Sequence, residues 1–172
     1  LLTVTGVQTC ALPICHAKSD WENGTLKDVD RPLNQRGYNA AYSVSLYLKQ
    51  KGISPDLMVS SPATRAISTC LIFARELNYP EKNVDIFSSV YLSDFSTLQE
   101  VVRQFPDEVN TAMLFGHNPG LTDFFNEVTN SKIDNLPTCG VLEIHFNAES
   151  WKKTFDDFGK MHSHVFPKEI IS

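Results

Sequence analysis

Apolar residues recur along most of the chain with one of two periods, and the two periods alternate. Leu57-Met58-Val59-Ser60 is a short apolar run of the kind that a strand buried on both faces requires, and 111–115 is another. Between such runs the spacing widens to three and four. Ala41, Val44 and Leu48 predict a helix that Asn34 caps and that Gly52 stops at about Lys51, and Ala66, Cys70, Ala74 and Leu77 form the stripe of a second helix entered through Ser61-Pro62. Leu98, Val101, Val102 and Phe105 mark a third helix over about 96–105, and Leu121, Phe124, Phe125 and Val128 a fourth. Val84-Asp85-Ile86-Phe87 is a further strand candidate. Residues 140–146 alternate, with Leu142, Ile144 and Phe146 inward and Glu143 and His145 outward, which predicts a strand with one wetter face. A last strand is expected around 154–158, followed by a polar end.

Strands alternating with helices of this length predict an α/β fold of three layers, α/β/α, around a mostly parallel central sheet. With 172 residues, 42% of them hydrophobic, the chain is long enough for one substantial core. In such sheets the ligand crevice lies where loops leave the carboxyl ends of the strands. Three such loops carry reactive side chains: His16, then Ser60-Ser61-Pro62-Ala63-Thr64-Arg65, then Gly116-His117-Asn118-Pro119-Gly120.

Residues 1–15 do not follow the pattern. A strand should lead into His16, yet Gly6 weakens one and Pro13 removes a ladder hydrogen bond where a central strand is needed. The string Val-Thr-Gly-Val-Gln-Thr-Cys-Ala-Leu-Pro-Ile also resembles translated sequencing-adapter DNA. The expectation is a functional domain over 16–172, with 1–15 a non-native replacement of its first strand.

A net charge of -5 and the lack of any Lys/Arg cluster argue against nucleic acid as a partner. No apolar run reaches the roughly 20 residues that would cross a bilayer, and the start lacks the order of a signal peptide, so a cytoplasmic enzyme is expected. Cys10, Cys15, Cys70 and Cys139 are expected to be free thiols. Cys10, Cys15, His16, His162 and His164 are zinc-type ligands, but their spacing matches no closed Cys/His pattern, and neither a metal nor another cofactor is expected.

Taken singly, each site candidate has an ordinary explanation as a loop, a solvated charge or a helix start. Together they place two histidines and an arginine at one sheet edge, each beside a helix N-terminus that offers free N–H groups to an anion. Arg65 adds a planar fork matched to phosphate oxygens. Neutral His16 can attack phosphorus if its second ring nitrogen donates to a carbonyl, and protonated His117 would bind the equatorial oxygens.

His16-Ala17-Lys18-Ser19, Arg31-Pro32-Leu33 with Gly37, Ser60-Ser61-Pro62 with Arg65-Ala66 and Thr69, and Gly116-His117-Asn118-Pro119-Gly120 together resemble the histidine phosphatase superfamily, of phosphoglycerate mutase-like fold. The likeness is greatest to the small SixA-type phosphohistidine phosphatases, and it runs from His16 to at least Gly140. It implies a cofactor-free hydrolase of cytoplasmic signalling, acting on protein phosphohistidine through a phosphorylated His16, with Arg65 and His117 as its catalytic partners. Lys18, Arg31 and Asn118 are candidates for binding phosphate or substrate. Asp94 is the candidate acid for the leaving group, and Asp20 is placed near the pocket mouth. The family's nucleophilic His follows an Arg, whereas here it follows Cys15. Cys15 is not itself expected to be the nucleophile, because no Arg closes a loop after it. The alternatives are a small-molecule phosphomonoesterase and a catalytically impaired phosphate-binding module.

Overall fold

The computed structural model describes residues 8–22 and 24–171. Gly6 and Asn23 lie outside the described residues. The elements in order are β1 (Gln8–Cys15), α1 (Gln35–Gln50), β2 (Leu57–Ser60), α2 (Thr64–Glu76), β3 (Asp85–Ile86), α3 (Phe95–Arg103), β4 (Thr111–Gly116), α4 (Gly120–Thr129), β5 (Val141–Asn147), β6 (Lys160–Val165) and α5 (Pro167–Ile170). The strands form one sheet in the order β3-β2-β4-β1-β5-β6. β3, β2, β4 and β1 run parallel, while β5 and β6 complete the sheet antiparallel.

The period of two in the strands divides the core between the two faces. On one side Leu12, Ile14, Met58, Met113 and Phe115 pack under α1 and α2, with the Phe73 ring edge-on to Phe115 at 5.2 Å. On the other, Ala11, Val59, Ala112 and Leu114 pack under α3 and α4, against Leu98, Val102, Phe124 and Phe125. Successive residues of β4 thus alternate between two helical layers, and every one of Ala112 to Phe115 is buried. That arrangement is the expected α/β/α sandwich.

The helix boundaries have local causes. Asn34 caps α1 by accepting from the N–H of Gly37, and Gly52 ends the turn with φ +77, in the left-handed region that glycine enters without strain. Gly37 is required for a second reason: a Cβ there would stand 2.1 Å from the carbonyl oxygen of Lys18, so α1 presses on the loop that follows His16.

Two expectations are corrected. Pro13 sits in β1, which is a central strand, paired with Leu114 of β4. In β1 the N–H groups of Cys10 and His16 point to the β4 side and that of Cys15 to the β5 side, so by alternation the absent N–H of Pro13 falls on the β5 side. The β1–β5 register there passes from Ala11↔Ile144 to Ile14↔Val141, skipping Leu12 and Pro13. The proline is tolerated because it faces an interruption in the pairing. The last strand is not at 154–158 but at β6, because Trp151 Nε1 donates to Val109 O and Thr154 Oγ1 to Trp151 O, locking 151–154 into a turn. β6 reads as a polar tail because it is an edge strand with mostly solvated side chains.

Candidate active site

The carboxyl ends of β2, β4 and β1 lie side by side, with Ser60 paired to Phe115 and Cys15 to Gly116. The loops leaving them are joined by backbone bonds, His16 N–H to Gly116 O at 3.1 Å and Ser61 N–H to Phe115 O at 3.0 Å. The three loops singled out in the sequence therefore meet.

His16 is the first residue past β1. Its Nδ1 lies 2.7 Å from the carbonyl oxygen of Ala17, so Nδ1–H donates there and the lone pair resides on Nε2. The loop is fixed by one buried hydroxyl: the Ala17 N–H donates to Thr69 Oγ1 at 3.0 Å, and Thr69 Oγ1 donates to Arg65 O at 2.7 Å. Arg65, on the first turn of α2, has a side chain only 3% exposed. Its Nε faces His16 Nε2 at 3.4 Å and its Nη2 faces His117 Nδ1 at 3.4 Å. His117 Nδ1 therefore holds a lone pair, and Nε2–H donates to Ser61 Oγ at 2.7 Å. The two imidazole centroids are 5.2 Å apart.

Burial pushes His16 down to about 4, against the pull of its bond to Ala17 and with Arg65 and Arg31 adding to the fall. His117 is pushed down to about 3 by burial, then by His16 and Arg65. Both rings are neutral at pH 7. For His16 this is the nucleophilic form. For His117 it is the opposite of the protonated form in which the ring would bind equatorial oxygens.

Asp28 was missed as a site residue. Its Oδ1 accepts from Arg31 Nε at 3.0 Å and Nη2 at 2.8 Å, and its Oδ2 from Arg65 Nη2 at 2.9 Å and the Tyr91 hydroxyl at 2.6 Å. Its backbone oxygen accepts from Arg65 Nη1 at 2.6 Å. These donors, Tyr91 foremost and then Arg31 and Arg65, hold the carboxyl far below the usual carboxylate range. In the sequence Asp28 is one polar residue in a turn-rich loop, and its only signal is its place three residues before Arg31. Tyr91 also stands edge-on to the His117 ring at 5.4 Å.

The remaining candidates are placed differently. Arg31 reaches the site through Asp28, with Nη1 on Ser19 Oγ at 2.7 Å and its guanidinium 3.5 Å from the Trp21 ring centroid. Lys18 is exposed. Asp20 accepts from the Glu22 N–H in the exposed loop. The Asn118 amide donates to Asn135 Oδ1 at 3.1 Å and to Leu136 O, and accepts from Thr122 Oγ1, so it holds the 135–136 loop. Asp94 is the N-cap of α3, accepting from Thr97 N–H and Ser96 Oγ, and those bonds hold it ionised. From the same loop it is Tyr91 that reaches the site.

Cys15 is buried between Asn118, whose backbone N–H faces the thiol, and Arg65, yet burial outweighs both and pushes the thiol up to about 12. A protonated thiol is not a nucleophile. All four cysteines are free. The zinc-type residues are scattered: Cys15 and His16 are at the site, His162 stacks on His145, and His164 meets Glu169. Cys10, Glu143 and His145 do bring ligand atoms within 4.8 Å of one another. Burial pushes that thiol up to about 12, and both Glu143 oxygens already accept, from His145 and from Ser163.

The helix starts also differ. Side chains cap α1 and α3, whereas α2 and α4, which begin at the site, have no side-chain cap. Gly120 opens α4 because a Cβ there would lie 1.9 Å from Ser93 O. The site thus holds an imidazole lone pair, a buried guanidinium and two helix N-termini, a set suited to receiving a phosphoryl group.

The family model of the histidine phosphatase superfamily (branch 1) matches residues 12–122. A chloroplastic protein of Arabidopsis thaliana is 30% identical over 160 residues, covering 88% of this chain and 72% of its own. Among solved structures, a SixA protein from Agrobacterium tumefaciens superposes with a TM-score of 0.80 at 22% identity, over 92% of this chain and 98% of that one. The protein histidine phosphatase SixA complexed with tungstate also gives 0.80, at 15% identity, over 94% and 99%. No described helix is long and apolar enough to cross a membrane.

Proposed function

Because the chain belongs to the histidine phosphatase superfamily, branch 1, we propose that His16 accepts the phosphoryl group and that the donor is a phosphohistidine of another protein. The observation that carries the reading is the fixed tautomer, with His16 Nδ1 tied to Ala17 O and the Nε2 lone pair turned toward Arg65. In the first half-reaction Nε2 attacks phosphorus, an N–P bond forms, and the bond to the leaving imidazole breaks with its electron pair. The leaving nitrogen takes up a proton from solvent. Water then attacks phosphorus and returns a proton to solvent, the P–Nε2 bond breaks, orthophosphate departs, and His16 returns to its neutral form. Arg65 and the uncapped amides of α2 and α4 stabilise the charge spread over the equatorial oxygens, and His117 joins them once it is protonated. A protein donor is supported by the short connection from α2 to α3, two turns and the two-residue β3. Reduced, buried thiols suit a cytoplasmic setting.

Cys15 favours a second reading. A thiol cannot supply the paired donors of the motif arginine, and losing such a contact to a phosphoryl group lowers the rate by about two decades. The chain as written is then a phosphate-binding protein with weak turnover. We attribute this to residues 1–15 being a replaced first strand, which the DNA upstream of His16 tests directly. The Cys15→Arg protein should release phosphate from a phosphohistidine protein about 100-fold faster than the parent. His16→Ala in that background should abolish release and the acid-labile phosphoenzyme together; release that continues without His16 refutes the mechanism. Faster turnover of a small phosphomonoester than of the phosphoprotein would reassign the substrate.

A further inference from the structure

Between α1, α5 and the 137–138 turn lies a cleft of about 570 Å³. It adjoins the loop that follows His16: Lys18 on its wall is two residues past His16, and Cys139 beside the turn donates its N–H to the carbonyls of Cys15 and His16 at 3.1 Å. Lys18, Arg36 and Lys168 line it, and none of these three pairs with a described carboxylate. The carboxylate on its wall, Glu169, is engaged by His164 Nε2 at 3.2 Å and by the Phe166 N–H at 3.3 Å. In a chain of net charge -5 this is a local reversal of sign.

The surface between the cations is apolar, made by Pro137, Phe166 and Ile171. A second cleft, of about 660 Å³, continues along α1 past Asn39 and Ile171, which line both, to the exposed rings of Tyr38 and Tyr42. From Arg36 to Ser43 the helix advances about 10 Å, the span of about three extended residues. A small phosphoester would leave most of that length empty, whereas a polypeptide would fill it.

We propose that this cleft binds the chain flanking the phosphorylated side chain of the substrate, and that the flanking segment is acidic with interspersed apolar residues. The proposal rests on His16 as the phosphoryl acceptor, which puts the phosphorylated residue at one end of the cleft. Acidic side chains meet Lys18, Arg36 and Lys168, and apolar ones cover Pro137, Phe166 and Ile171.

The test uses the full chain and its Arg36→Glu/Lys168→Glu variant, both substitutions being at exposed positions. A fluorescent peptide of alternating Glu and Leu, and a counterpart with Lys for Glu, are titrated by anisotropy. The acidic peptide should bind and the basic one should not. Affinity should fall with added salt, and the double reversal should weaken it about tenfold. Orthophosphate should raise the melting temperature of both proteins alike, which shows that the variant folds and keeps its His16 site. Equal binding of the two peptides, or unchanged affinity in a variant that orthophosphate still stabilises, overturns the proposal. Selective peptide binding by a chain that orthophosphate does not stabilise would support the cleft and count against the phosphatase reading.

Discussion

Asp28→Asn removes a charge from between two arginines while keeping the shape of the side chain. In the native protein the carboxylate accepts from both guanidinium groups, and their side chains, 3% exposed in Arg65 and 9% in Arg31, have little water to replace it. A hydrogen bond to a charged group is worth about 1.5–3 kcal/mol against about 0.5–1.5 for a neutral one, so the amide loses about 1 kcal/mol at each contact. The Asp28 side chain is 44% exposed, and solvent screening reduces the combined loss to about 1 kcal/mol. For a chain of this size that is a fall of about 2–4 °C in melting temperature. The pH dependence follows from the lowered carboxyl. Its contribution is complete above the unfolded value near 4 and is lost as pH falls from there through the folded value, so the deficit of Asp28→Asn should shrink between about pH 4 and 2. Urea unfolding at pH 7 and pH 3, with Arg65→Met and the double variant, measures the coupling. Stability equal to the parent at pH 7, or a deficit unchanged at pH 3, would refute the account of Asp28 as the clamp on Arg65.

In the Cys15→Arg protein kcat/KM should stay level from pH 7 to about 5 and fall about tenfold per unit below about 4, because His16 remains neutral down to there; an acid limb near 6.5 would contradict the buried imidazole. Stability should decline as pH drops from about 6.5 to 4, since the unfolded histidines bind protons that folded His16 and His117 do not, and denaturant titrations across that range read it directly. Thr69→Val strands the buried Ala17 N–H and should lower stability by about 1–3 kcal/mol in urea melts, with a larger fractional loss in kcat than in KM. Gly120→Ala drives a Cβ into Ser93 O and should destabilise by about 1–3 kcal/mol; a neutral substitution would mean that the 91–94 loop yields freely.

The continuous apolar runs of β2 and β4 and the three-to-four spacing in α1 to α4 were legible because those strands are buried on both faces while each helix buries one. The three site loops were legible because an α/β sheet has one productive edge. Pro13 misled because a propensity rule cannot see where β1 loses its partner on β5. Asp28 was invisible for a related reason: nothing local distinguishes it, and its meaning comes from Arg65 and Tyr91, 37 and 63 residues away. β6 was lost because an edge strand buries too little to impose alternation.

The uncapped starts of α2 and α4 have a consequence beyond chemistry. A side-chain cap is worth about 1 kcal/mol, so α2 and α4 together forgo about 2 kcal/mol that α1 and α3 collect from Asn34 and Asp94. An anion at those amides returns it, and stability then rises with the logarithm of anion concentration. A difference of about 1–2 kcal/mol changes the steady-state abundance of a marginally stable protein several-fold. The helix starts therefore tie the stability of the folded chain to the anion that occupies them.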